Sequence, residues 1–268
     1  MSDSIIPSNR LKKLLTEGKC AVGTMVVEFR QPSVTQMLSN AGFDFIIIDN
    51  EHGAFNIETI ADLSRAARLV NVTPIVRVPE STYTYISQSL DAGAQGIMIP
   101  RISNAREVED VVQIVKYAPV GRRGCVVARG HTDFKSGPLI ETFQRANEES
   151  LLVVQIETAE ALKNIEAIIS VRGVDVALIG PTDLSMALGI PGEMDNPRLH
   201  NAINRMIEVA GRAGVYPAIH MNVLAQGEFW AERGMRMVSH NSEVGLLTRA
   251  GTEATTALNE AFRRRESK

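Results

Sequence analysis

Residues 151–184, LLVVQIETAEALKNIEAIISVRGVDVALIGPTDL, carry the pattern that decides the fold. Two short runs, LLVVQI at 151–156 and VDVALI at 174–179, are apolar on both faces and flank a helix-like stretch. A strand apolar on both faces is buried on both, as in a parallel sheet covered by helices, whereas a half-exposed strand alternates. Strand, helix and strand in that order make a βαβ unit.

The unit recurs in both directions. Further strands are expected at 21–27 (AVGTMVV), 43–49 (FDFIIID), 74–78 (PIVRV), 95–99 (QGIMI), 215–220 (VYPAIH) and 235–239 (MRMVS), making eight in all. The chain has 268 residues, and a (β/α)8 TIM barrel takes roughly 250. The expected fold is therefore α/β, a single-domain (β/α)8 TIM barrel over 1–268 with an N-terminal helix. Punctuation agrees: Asn56 ahead of IETIADLSRAARLV suits an N-cap, and the Ala-Gly endings at 41–42 and 92–93 suit helix C-termini. One irregularity is a long excursion at about 100–150, with helices near 104–117 and 138–149 around GRRGCVVARGHTDFKSG. Such a loop usually serves the active site or a subunit contact. A doubly wound sheet is the competing architecture, but its glycine fingerprint is missing where the first strand runs into EFRQPSV.

Composition excludes several functions. The chain is 44% hydrophobic and 22% charged with a formal net charge of −3, so it has ample core material and no electrostatic footprint for nucleic acid. Arg263-Arg264-Arg265 reads as a solvated helix end. No stretch reaches the ~18 apolar residues of a membrane span, and MSDSIIPSNRLKK lacks the apolar core of a signal peptide, so a cytoplasmic protein is expected. Cys20 and Cys125 lie in separate segments and suggest neither a disulfide nor a thiolate metal site.

Chemistry in a barrel sits at the C-terminal ends of the strands. There the sequence offers Asp49-Asn50-Glu51-His52-Gly53 after the second strand, Arg77 in the third, Gln155-Ile156-Glu157 at the end of the fifth and Gly180-Pro181-Thr182-Asp183 after the sixth. Taken singly, Glu157 reads as a charge at a helix N-terminus and Asp183 as a helix cap. Taken together, they end adjacent strands and place two hard oxygen ligands side by side, which suits Mg2+ or Mn2+ with water and a chelating substrate completing the shell. The other histidines are scattered; His220 at the end of the seventh strand has both a pocket-lining and a structural reading. A Schiff-base aldolase needs a desolvated lysine at a strand end, and the lysines fall elsewhere.

The segments VQIETAEALKNIEAIISVRGVDVALIGPTDLSMALG and FDFIIIDNEHGAFNIETI resemble the HpcH/HpaI aldolases, metal-dependent pyruvate aldolases of the phosphoenolpyruvate/pyruvate superfamily. The resemblance spans nearly the whole chain. It implies Glu157 and Asp183 as metal ligands, with Mg2+ or Mn2+ and Co2+ as a third candidate; His52 as acid/base; Arg77 as oxyanion stabiliser; and Gln155 with Gly180, Pro181, Thr182 and Asp183 as substrate contacts. Asp91, in LDAGAQG, matches the acidic residue that raises the basicity of the family's histidine. It lies just before the fourth strand, nominally on the barrel face opposite His52. The homo-oligomer implied by the resemblance, a hexamer or trimer of dimers, would resolve this by a contact across subunits. Departures from the family pattern are Asn50 in DNEHG, Thr182 in the strand-six turn and the SHNSE ending of strand eight, and the 121–137 loop is a further place where pocket polarity could differ.

The implied reaction interconverts a 4-hydroxy-2-oxoacid with pyruvate and an aldehyde, both small molecules. Arg77 would meet charge on the C2 oxygen, and His52 would relay the C4 hydroxyl proton directly or through water; an imidazole ordinarily titrates near 6.5. Two alternatives are an acyl-CoA lyase of the same superfamily, for which no nucleotide groove is evident, and a non-catalytic binding protein, which would have lost a key residue.

Overall fold

Successive side chains on a strand point to opposite sides, and on these strands both sides are buried. In the computed structural model, which describes residues 4–267, the strands are β1 (Ala21–Val26), β2 (Phe45–Asp49), β3 (Thr73–Arg77), β4 (Gly96–Ile99), β5 (Leu151–Ile156), β6 (Val176–Ile179), β7 (Tyr216–Met221) and β8 (Met237–Ser242). They pair in parallel, each with the next, and β8 closes on β1. One side of the strands, including Phe45, Ile47, Ile75, Met98, Val153, Leu178 and Met237, fills the barrel interior. The other side, including Ile46, Val76, Ile97, Val154 and Ala177, packs beneath the helices. Among the described residues no helix is long and apolar enough to cross a membrane.

The floor is sealed by the helix Arg10–Thr16, whose Leu11 and Leu15 join the interior cluster. Its N-cap Asn9 accepts from the Lys12 amide at 3.1 Å and donates to the Gln95 and Glu149 carbonyls, tying the plug to the bottom of the barrel. Asn56 caps Ile57–Leu69 as expected, its side chain accepting from the Thr59 amide at 2.9 Å. The excursion after β4 contains the helices Ala105–Val115 and Leu139–Glu149, with a single 3-10 turn, Gly130–Thr132, between them.

Most strand ends fall within two residues of expectation, but β8 runs three residues further, to Ser242. Its polar SHNS end looks like a loop in one dimension. In the barrel those residues continue the ladder at the mouth, with a register shift against β1 between Gly23 and Met25.

Gly23 lies where the barrel wall leaves no room for a side chain: an added Cβ would sit 2.4 Å from the Phe45 ring. Gly23→Ala is expected to lower stability by about 1–3 kcal/mol, the usual cost of overpacking. A urea midpoint that falls with an unchanged m-value would show this; an unchanged midpoint would mean the ring moves freely.

Candidate active site

The chain direction through a parallel barrel sends every strand's C-terminal end to one mouth. β2 delivers Asp49 and then Glu51 and His52, β3 delivers Arg77, β5 delivers Gln155 and Glu157, and the turn after β6 delivers Asp183. At this end lies a cleft of about 180 Å³ lined by Glu51, His52, Arg101, Glu157, Thr158 and Asp183.

Arg77 is held from two sides. Its Nε and Nη2 donate to the two oxygens of Asp49 at 2.9 and 2.6 Å, and its Nη1 lies 3.2 Å from Glu51 Oε2. The paired contact with Asp49 fixes the guanidinium plane, as a fork-on-fork arrangement does. Asp49 Oδ1 also accepts from the Glu51 and His52 amides at 3.1 and 3.3 Å, so the same carboxylate shapes the turn that carries the histidine. The His52 side chain is 65% exposed, with Nε2 3.8 Å from Glu51 Oε2, beyond hydrogen-bond reach.

Glu157 is buried. The following helix, Ala159–Lys163, is capped by Thr158, so Glu157 is not serving as its cap. Instead its Oε1 accepts from the Arg101 amide at 2.7 Å, and its Oε2 accepts from Gln155 Nε2. Burial pushes its carboxyl up to about 7, opposed by the Arg101 amide and raised further by the charges of Asp183 and Glu51. Asp183 sits in the first turn of Pro181–Ala187, after the cap position Gly180, and is exposed to the cleft. Gly180 must lack a side chain: a Cβ would come 2.8 Å from Gln155 Nε2 and 3.1 Å from Glu157 Oε2.

These carboxylates fit a divalent cation. Among the described residues neither Glu157 nor Asp183 has an ion-pair partner, and no cluster of three or more His, Cys, Asp or Glu could enclose a metal alone. Two hard oxygens with an open side suit an ion that keeps water and takes a chelating ligand. The buried Gln155 Oε1 is an acceptor with no protein partner.

Of the residues expected from sequence, His52, Glu157 and Asp183 meet in one cleft, with Gln155 bonded to Glu157, Gly180 beside them and Arg77 joined through Glu51. Thr182 is exposed in the same turn and Pro181 begins its helix. Asp91 is not brought to the mouth within the chain. It ends the helix Tyr83–Ala92 ahead of β4, hydrogen-bonded to Arg123 of the long loop. His220 points into the barrel interior, with Nδ1 2.9 Å from Ser239 Oγ, and burial takes its pKa down to about 4. Lys116, taken down to about 8 by burial, is bonded to the Asn147 and Ser150 carbonyls beside the start of β5, at the far end of the barrel from the cleft.

Sequence reading missed the roles of Asp49, Glu51 and Arg101. The first two stand in the quoted DNEHG segment; Arg101 follows β4 after Pro100, at a strand end that no carboxylate or histidine marks.

Comparison with known proteins agrees with the geometry. The profile of the HpcH/HpaI aldolase/citrate lyase family matches residues 24–250. The chain is 32% identical over 245 residues to a hydroxypyruvate/pyruvate aldolase of Roseobacter denitrificans, covering 91% of this chain and 95% of that protein. It is 32% identical over 242 residues to a 4-hydroxy-2-oxo-heptane-1,7-dioate aldolase of Shigella sonnei, covering 90% and 92%. The crystal structure of an HpcH/HpaI aldolase from Desulfitobacterium hafniense superposes with a TM-score of 0.91 at 32% identity, covering 94% of this chain and 98% of that one. With the barrel, these relatives show a carbon–carbon lyase of the pyruvate-aldolase type. This chain belongs to the HpcH/HpaI aldolase/citrate lyase family.

Burial of Glu157 has a measurable consequence in metal-free protein. Because its carboxyl is raised to about 7 in the fold, the folded state holds this proton more tightly than the unfolded chain. That favourable difference is present at low pH and is lost as pH rises from the unfolded value, about 4.3, through the folded one, costing a few kcal/mol. In excess chelator, Glu157→Gln should therefore melt higher than the parent by a margin that grows from pH 5 to pH 8. A margin independent of pH would mean that the carboxylate is not penalised by burial.

Proposed function

We propose that this protein cleaves or forms 4-hydroxy-2-oxoacids through the enolate of pyruvate, with Glu157 and Asp183 holding a divalent cation, Mg2+ or Mn2+, with Co2+ as a third candidate. The observation that carries this reading is the pair of carboxylates without a counter-ion, one buried and one open, at the end of a cleft that also holds His52. When bound, the cation supplies a Lewis acid that polarises the C2 carbonyl of the substrate.

The chain's own residues supply the rest. Gln155 and the Arg101 amide orient Glu157, and the Gly180–Asp183 turn offers backbone and side-chain contacts to the oxoacid. Arg77, locked by Asp49, presents a fixed positive edge toward the acidic pocket, where it stabilises negative charge growing on the C2 oxygen. His52, on the open side, takes the C4 hydroxyl proton as the C3–C4 bond breaks and the aldehyde leaves. Return of a proton to C3 of the enolate gives pyruvate. Lysine chemistry is disfavoured by the position of Lys116.

Asp91 can act on His52 only in a homo-oligomer that sets the lower face of one barrel near the mouth of another. Two features support such an assembly. The C-terminal helix Glu243–Glu266 leaves Leu247, Leu258 and Phe262 exposed, and the outward-facing Val22 of β1 is exposed as well.

Exhaustive chelation should abolish aldol cleavage, and Mg2+, Mn2+ or Co2+ should restore it; full activity in excess chelator would remove the metal from the mechanism. Arg77→Ala should lower both aldol cleavage and oxaloacetate decarboxylation about 10²–10³-fold, since both pass through the pyruvate enolate. His52→Ala should damage cleavage far more than decarboxylation, because carbon dioxide leaves without a proton. Equal losses in both reactions, with metal affinity intact, would assign His52 to substrate positioning instead.

A further inference from the structure

The cleft contains one exposed guanidinium that the chemistry above does not use. Arg101 follows Pro100 at the end of β4 in the left-handed region, with φ 57°, a conformation that costs a non-glycine residue roughly 1–3 kcal/mol and persists where surroundings enforce it. Two contacts enforce it here. The backbone amide donates to Glu157 Oε1 at 2.7 Å, and the side-chain Nε lies 3.1 Å from Glu51 Oε1. Arg101 thus sits with its main chain on the buried carboxylate and its side chain on the rim, 70% exposed.

The two guanidiniums of the site differ in what remains free. Arg77 holds Asp49 through Nε and Nη2 and Glu51 through Nη1, and it is buried. Arg101 spends only Nε, so both terminal nitrogens are available on the open side. Glu51, 7% exposed, links the two and holds Arg101 beside His52. Among the described residues that line the cleft, Arg101 is the one permanent cation.

The direction of the cleft assigns a ligand group to this cation. A 4-hydroxy-2-oxoacid with its oxoacid end toward Glu157 and Asp183, and its C4 hydroxyl at His52, extends the aldehyde-derived end past C4 toward the exposed rim. An arginine with two free terminal nitrogens recognises a planar anion by paired hydrogen bonds. We infer that Arg101 is a specificity-determining residue that binds an anionic group, carboxylate or phosphate, on the aldehyde-derived end of the substrate. This inference rests on the aldolase reading of the same site.

The test compares aldehydes of equal length ending in a carboxylate, a phosphate or an uncharged amide, each condensed with pyruvate by the metal-loaded parent protein, Arg101→Met and Arg101→Lys. Methionine keeps the amide that orients Glu157. The parent should prefer an anionic over the uncharged aldehyde in kcat/KM, and the carboxylate and phosphate arms identify which anion. Arg101→Met should cut that preference ratio about 10–100-fold, chiefly through KM, and Arg101→Lys should recover part of it. Because the ratio is taken within each variant, general damage to the site cancels. A ratio unchanged by Arg101→Met, or no anionic preference in the parent, would overturn the inference while leaving the aldolase reading standing. If the parent turned over no aldehyde at all with pyruvate and metal, both would fall.

Discussion

Asp49, Glu51, Glu157 and Asp183 share the mouth of this barrel, and the rest of the site is arranged by how each is compensated. Asp49 and Glu51 are answered by arginine, whereas Glu157 and Asp183 are not. Burying a carboxylate without a counter-charge is costly, and the fold meets Glu157 with two hydrogen-bond donors but no ion-pair partner among the described residues. The asymmetry separates two tasks. The paired carboxylates fix guanidiniums in space, and the unpaired ones are the pair proposed to bind the cation.

Several details of the backbone follow from that requirement. Gly180 lacks a side chain because Gln155 and Glu157 occupy the space beneath the strand-six turn. Arg101 adopts a left-handed φ with its amide on Glu157 and its side chain on Glu51. Asp49 serves the turn and Arg77 at once, so the histidine-bearing segment and the guanidinium are positioned by one group. A change at Asp49 would therefore disturb both.

The opposite end of the barrel is built on different physics. Leu11 and Leu15 close the interior from below, and the long loop is tied to the helix Tyr83–Ala92 through Arg123 and Asp91. There charge serves tethering, as with Lys116, whose three bonds run to Asn147 and Ser150. A titrating lysine at that end is a structural cation, since the reacting end of a parallel barrel is the other one.

The sequence by itself determined the barrel and singled out the two strand-end carboxylates proposed to hold the metal. Runs apolar on both faces recur eight times with helices between, and Glu157 and Asp183 end adjacent strands, so period and spacing along the chain were sufficient. It also located His52 and Arg77, and it anticipated that Asp91 belongs to the other end of the barrel. Only the tertiary structure decided which charges meet. That Asp49 clamps Arg77, that Glu51 bridges to Arg101, and that β8 continues through SHNS all depend on contacts between segments distant in sequence. A polar residue at a strand end looks the same in one dimension whether it faces solvent, caps a helix or binds a ligand; closure of the barrel brings it to its partners and settles which.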